Sequence, residues 1–189
     1  LGRVPVHVFE SGDLLELKPF EIEPVDINHS IPEAASLLIR TPRGNVFHTG
    51  DWRFDEDPVV GKPVDYKALS ALKKEKVLAL VGDSTNVFVE GDIPSETQVR
   101  ESLTELFSRY KGKRLIVTCF ASNVGRIESI AEAAEKNGRT VCLLGRSLWR
   151  VEGAGRAAGY FRGVNVFLTD EEAAERDPAE VLYLCTGCQ

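Results

Sequence analysis

The sequence predicts an α/β protein in two parts: a β-rich segment of mainly antiparallel strands, then a parallel sheet flanked by helices. Three observations predict it. Up to about Pro58, apolar residues alternate with polar ones or form short runs, as in "VHVFE", "LLELKPFEIEPVDIN" and "ASLLIR". From about Val77 onward, strand-like apolar runs alternate with amphipathic helical stretches, the pattern of βαβ units whose sheet is buried on both faces. Between the two, "EDPVVGKPVDY" (56–66) gathers prolines, loses its periodicity and marks a boundary.

Each element has a local reason. "TPRGN" between "ASLLIR" and "VFHTG" predicts a hairpin turn, with Pro42 and Gly44 supplying the geometry. "KVLALVGDSTN" is a strand of aliphatic residues ending in a polar turn. "PSETQVRESLTELFSRYKG" predicts a helix with Ser95 as N-cap and Gly112 near its end. "RLIVTCFASN" is a further strand, and "NVGRIESIAEAAEKNG" a helix closed by Asn137 and Gly138. "TVCLLGRS" is a strand, "LWRVEGAGRAAGY" a helix, and "VNVFLTD" and "VLYLCTG" are two more strands.

Composition excludes several classes. With 189 residues, 43% of them hydrophobic and 28% charged, the chain has the apolar content for a core of its own. No apolar run approaches the roughly 18 residues of a membrane span, and no basic stretch leads into an apolar one as in a signal peptide. The net charge of −6 does not advertise nucleic-acid binding, although a local basic patch would serve. Four cysteines are too few for a disulfide scaffold of this size. Cys119 and Cys142 lie in apolar runs as small hydrophobes, and Cys185 with Cys188 forms a CxxC without a second ligand pair. We expect reduced thiols and a cytoplasmic protein. The start at Leu1 and the end on "YLCTGCQ" predict a piece of a longer chain.

The candidate functional residues lie at strand ends. Residues 83–86 ("DSTN"), 121–123 ("ASN"), 145–147 ("GRS") and 186–189 ("TGCQ") are small and polar. On one open parallel sheet these ends share an edge, where ligands of such sheets bind. With Arg146 and helix N-termini they suit a phosphate. The same Ser and Asn residues also read as ordinary helix N-caps. His29, in "INHSIPEA", and Asp51, in "FHTGDWRFD", each stand just past a strand end, where rigid scaffolds carry catalytic groups. A histidine and a carboxylate so placed suit a metal, but a catalytic zinc takes about three protein ligands. His7 reads as structural, and His48, just before Asp51, as structural or as a group that supports a metal ligand.

These residues resemble a known family. "NHSIPEAASLLIRTPRGNVFHTGDWRFDEDPVVGKPVD", "GDSTN", "TCFASNVGRIESIAEAAEKNGRTVCLLGRSLWR" and "LCTGCQ" resemble, in order and over nearly the whole chain, ribonuclease J and its metallo-β-lactamase/β-CASP relatives. The resemblance implies that residues 1–72 belong to a metallo-β-lactamase domain and 73–189 to most of an inserted β-CASP domain. It implies a zinc-dependent ribonuclease with two zinc ions, cutting RNA internally and from the 5′ end. It also implies a homo-oligomer acting on RNA and not on membranes. By the match His29 and Asp51 are metal ligands, Asp51 being shared between two metals, and Asp83 is the acidic residue that opens the β-CASP domain; Asp51 and Asp83 are the catalytic candidates. Ser84, Asn86, Phe120, Ser122, Asn123, Arg146 and Ser147 are the substrate-binding candidates, Phe120 as a base-stacking surface or else as core. The HxHxDH motif is expected upstream of Leu1 and two histidine motifs downstream of Gln189, so the chain alone is expected to be inactive. Cys188 stands where the family pattern has serine, which removes a side-chain hydroxyl from that end. A small-molecule hydrolase of the same fold and a non-catalytic RNA-binding or scaffold relative are the alternatives.

Overall fold

The computed structural model describes residues 4–187 and divides into two compact units. The first takes the described residues up to His29, then Glu33–Phe54 and Pro63–Gly91; the second takes Ser30–Pro32, Asp55–Lys62 and the described residues from Asp92 onward.

The first unit is a five-stranded sheet. Strands β1 (Leu15–Leu17), β2 (Phe20–Asp26), β3 (Ala35–Thr41) and β4 (Gly44–His48) pair antiparallel in sequence order. Helix α1 (Tyr66–Ala71), capped by Asp65 through a 2.9 Å bond from Ala68 N–H, leads into β5 (Val77–Val81), which pairs parallel with β4. Alternation does its work here: Val25, Leu38 and Phe47 are buried on one face against Ala68, Leu69 and Leu72. At the β3–β4 turn Thr41 Oγ1 donates to Gly44 O at 2.8 Å and accepts from Arg43 N–H at 3.1 Å. Gly44 has φ +140° and its missing Cβ leaves room for Leu78, which a side chain there would meet at 2.9 Å.

Two expectations change. "VHVFE" forms no strand, and Val6 and Val8 are exposed. Residues 77–81 form a strand as expected, but in the first sheet and not the second. An aliphatic run states that a strand forms, not which edge it joins.

In the second unit α2 (Glu96–Ser108) starts from a capping box in which Ser95 Oγ accepts from Gln98 N–H at 3.1 Å and Gln98 returns a bond to Ser95 N–H at 3.0 Å. Strand β6 (Leu115–Thr118), α3 (Val124–Lys136), β7 (Thr140–Leu144), α4 (Arg146–Ala157), α5 (Asp170–Ala174) and β8 (Val181–Cys185) follow. The three strands are parallel in the order β6-β8-β7, so the last strand enters between the other two. The expected strand at "VNVFLTD" reduces to a bridge between Leu168 and Cys142, with Leu168 N–H to Val141 O at 2.9 Å. Apolar residues of α3 at helical spacing (Val124, Ile127, Ile130, Ala131, Ala134) pack with Leu182, Leu184 and Phe107 into the core. Gly155 is required there, since a Cβ would lie 2.5 Å from Phe161 Cε2. Buried Arg139 donates to the carbonyls of Val181, Tyr110 and Lys113 at 2.8 to 3.1 Å, tying the end of α2 to β8. Among the described residues no helix is long and apolar enough to cross a membrane.

Candidate functional site

Strand direction assembles the first edge. β3 reverses the chain between β2 and β4, and β5 runs parallel to β4. The loops leaving β2, β4 and β5 therefore lie at one end of the sheet, carrying His29, Asp51 and Asp83 respectively. Hydrogen bonds stitch these loops together. Thr49 N–H donates to Val81 O at 2.9 Å, and its Oγ1 accepts from Asp83 N–H at 3.0 Å. Trp52 Nε1–H donates to Asp83 O at 3.1 Å, and Arg53 N–H to Asn28 O at 2.9 Å. Ser36 Oγ donates to Thr49 O at 2.7 Å from within the sheet. Gly50, at φ +62°, makes the turn that leaves Asp51 exposed.

The carboxylates and histidines differ in environment. Asp83 Oδ1 accepts from the Thr85 hydroxyl and from Thr85 N–H at 2.9 Å. These two bonds, in that order, hold the Asp83 carboxyl below the usual range, with a smaller contribution from nearby His29. His48 Nδ1 accepts from Gly50 N–H at 3.0 Å, so its ring braces the turn before Asp51. His7 is exposed. Histidine nitrogen and carboxylate oxygen are donors that zinc accepts. Among the described residues, however, no group of three or more His, Cys, Asp or Glu stands close enough to hold a metal ion. His29 and Asp51 are suitable donors that do not complete a site alone.

The second edge lies at the ends of β6, β8 and β7. Asn123 caps α3, its Oδ1 accepting from Arg126 N–H at 3.0 Å. Phe120 is 67% exposed, so the core reading of this residue is set aside, and Ser122 beside it is exposed. Gly145 precedes α4 and offers no side-chain cap, leaving Arg146 and Ser147 exposed at that N-terminus. The single edge expected for all four polar strand ends is not formed: Ser84 and Asn86 follow β5 in the first sheet, because β5 pairs with β4. Cys188 and Gln189 lie outside the described residues. Burial pushes the thiols of Cys119 and Cys142 up to about 11, as befits apolar packing.

Sequence reading passed over one cluster in the second unit. Asp55 is buried; its Oδ2 accepts from Glu96 N–H at 3.0 Å and its Oδ1 from Asp57 N–H at 3.0 Å. Buried Glu96 takes both arms of the Arg126 guanidinium, at 2.7 and 3.1 Å. The only advance sign was a Glu directly after the Ser95 cap.

Fold and comparison define the class. Residues 112–189 match the family described as Ribonuclease J, beta-CASP domain. The chain is 46% identical over 188 residues to a ribonuclease J of Sinorhizobium meliloti, covering 100% of this chain and 33% of that protein. It is 40% identical over 171 residues to a ribonuclease J of Mycobacterium tuberculosis, covering 90% and 30%. It is 37% identical over 185 residues to ribonuclease J 1 of Streptococcus pyogenes, covering 97% and 33%. The chain thus spans about a third of the length of these relatives. In fold it is similar to a crystal structure of a protein of unknown function from Enterococcus faecalis, with a TM-score of 0.65 and 18% identity, covering 98% of this chain and 45% of that one. This is a mixed α/β protein that carries a β-CASP domain, its parallel sheet flanked by helices. Residues 112–189 carry the β-CASP domain of ribonuclease J, and the chain is similar in sequence to ribonuclease J proteins along its whole length.

Proposed function

We propose that the chain is part of a zinc-dependent ribonuclease that hydrolyses RNA phosphodiesters, both internally and from the 5′ end. The observation that carries this reading is the 46% identity to a ribonuclease J along the whole chain. In the longer protein, His29 and Asp51 join ligands from outside this chain to hold two zinc ions, and the first sheet forms part of a metallo-β-lactamase domain. Such a pair of ions, when bound, supplies Lewis-acid activation of water and of the scissile phosphate. The Gly50 turn and the bonds of Thr49 and Trp52 fix the backbone on either side of Asp51 at the sheet edge. Asp83, kept ionised by Thr85, contributes a fixed negative charge beside His29. Phe120, exposed at the second edge, offers a stacking surface to an unpaired base. Ser84, Asn86, Ser122, Asn123, Arg146 and Ser147 supply hydroxyls, amides and a cation to RNA phosphates. The protein works on RNA in the cytoplasm as a homo-oligomer, and the 189-residue chain by itself is inactive.

The test uses the full-length protein with added zinc. Wild type is expected to cleave single-stranded RNA and to leave small esters and lactams intact, and Asp51→Ala to abolish cleavage while RNA binding persists. Hydrolysis of the small substrates, or full RNA cleavage by the variant, refutes the reading.

A further inference from the structure

Two buried carboxylates stand at the start of α2: Asp55 is 4% exposed and Glu96 6%. Burying such charges is costly unless each is fully bonded. Here they are bonded in series. Asp55 accepts from the backbone N–H of Glu96, and the Glu96 side chain accepts both arms of Arg126. The backbone N–H of Arg126 in turn donates to Asn123 Oδ1. Thr97 Oγ1 adds a 3.0 Å bond to Asp57 O, fastening segment 55–57 to the same turn of α2. The series runs from segment 55–57, through the first residue of α2, to the loop 119–123.

Helix capping does not account for it. α2 has its own capping box in Ser95 and Gln98, and α3 has Asn123. Nor does stability require a buried ion pair, since well-packed apolar residues in such places are often as stable or more so. What the pair does supply is direction. The planar guanidinium meets Glu96 with two parallel bonds, which fix orientation as well as distance. The loop it reaches is held at its other end by Cys119 N–H on Cys185 O at 3.1 Å. Phe120 and Ser122 are displayed between these two anchors, both exposed. Arg126 itself is committed: the Glu96 bonds hold its guanidinium more firmly protonated than usual, and both arms point inward to that carboxylate.

We infer that Glu96 and Arg126 are positioning residues that hold the loop 119–123, and with it Phe120 and Ser122, in the geometry that receives RNA. This rests on the ribonuclease reading above. Arg126→Lys keeps the charge and loses the two-armed bond; Glu96→Gln keeps the shape and loses the charge.

The experiment compares full-length wild type, Arg126→Lys, Glu96→Gln and the double variant. KM and kcat are measured on a single-stranded oligoribonucleotide, together with hydrogen exchange at 119–123 and melting temperature. Each single variant is expected to raise KM about tenfold, to change kcat by less than about twofold, and to speed exchange at 119–123 while β7 and β8 stay protected. The double variant is expected to match the singles, because one interaction is lost in each. An unchanged KM and unchanged loop exchange in folded Arg126→Lys would overturn the inference. So would faster exchange throughout the unit with KM unmoved, the mark of a merely structural pair. A wild-type protein that neither binds nor cuts RNA sinks the ribonuclease reading itself. Wild-type cleavage with the loop indifferent to both variants sinks the positioning role alone.

Discussion

Glu128 shows how a single carboxylate is tuned by its setting. Burial raises its carboxyl above the usual range, and the bond it accepts from Phe161 N–H at 2.6 Å opposes this only in part. A carboxyl raised in the folded state contributes stability in full below its unfolded value, near pH 4. That contribution is lost as pH rises through the folded value. At neutral pH the ionised side chain therefore opposes folding. Glu128→Gln keeps an acceptor for Phe161 and removes the charge. We expect its melting temperature at pH 7 to equal or exceed that of wild type, the difference shrinking as pH falls toward about 4. Melting curves across that range check the sign, and a variant less stable at pH 7 with no narrowing on acidification contradicts it. The same scale separates residues that the sequence presents alike. Phe120 and Phe107 each have an apolar residue before them and small or polar residues after, yet one is 67% and the other 3% exposed. Adjacent residues do not reveal that the helix turns Phe107 inward while the loop after β6 turns Phe120 to solvent.

At the scale of elements, the loop 119–123 carries a helix cap, Asn123, and an exposed aromatic, Phe120, three residues apart. Asn123 does the capping that its position before "VGRIESI" announced. Asn123→Ala is expected to cost about 1 kcal/mol of stability and to lower the melting temperature. Phe120→Ala removes a mostly exposed side chain and is expected to change stability little. It is expected to weaken binding of single-stranded RNA by about 1 to 3 kcal/mol. Thermal melts and RNA titrations on the same folded preparations decide. If Phe120→Ala binds as tightly as wild type, the stacking role is gone. Helices were the most legible elements, since the Ser95 capping box and the Asn137–Gly138 ending are signals within a few residues of where they act. Strands were legible as strands and not as neighbours. "VLALV" reads as a buried parallel strand; it is parallel, but it lies at the edge of the first sheet with Leu78, Leu80 and Val81 exposed, and its partner is β4, on the far side of α1 along the chain, so Ser84 and Asn86 moved from one sheet to the other. "VHVFE" alternates as a strand should, yet among the described residues it finds no strand partner.

For the whole molecule, the metal is the quantity to test. His29 and Asp51 are brought to one sheet edge by β2 and β4, and the described residues offer no group of three or more donors around them. Zinc binding that needs about three protein ligands is thus expected of the longer protein and not of this chain alone. Elemental analysis of the 189-residue chain after dialysis is expected to find well under one zinc per molecule, and stoichiometric zinc would show a ligand set other than His29 and Asp51. The relatives are about three times as long as this chain.

By itself the sequence determined whatever acts over a few residues: the capped helices, the hairpin at Pro42–Gly44, and the polar ends that follow each strand. Its motifs also carried the resemblance to ribonuclease J, because residue type and order are read along the chain whatever the fold around them. Only the tertiary structure decided which strands lie side by side, that Phe120 faces water, and that Asp55 meets Glu96 across 41 residues and Glu96 meets Arg126 across 30. The reason is physical. A cap or a turn is satisfied by its own neighbours along the chain, whereas a strand edge or a buried charge is satisfied only by a partner that folding brings from elsewhere.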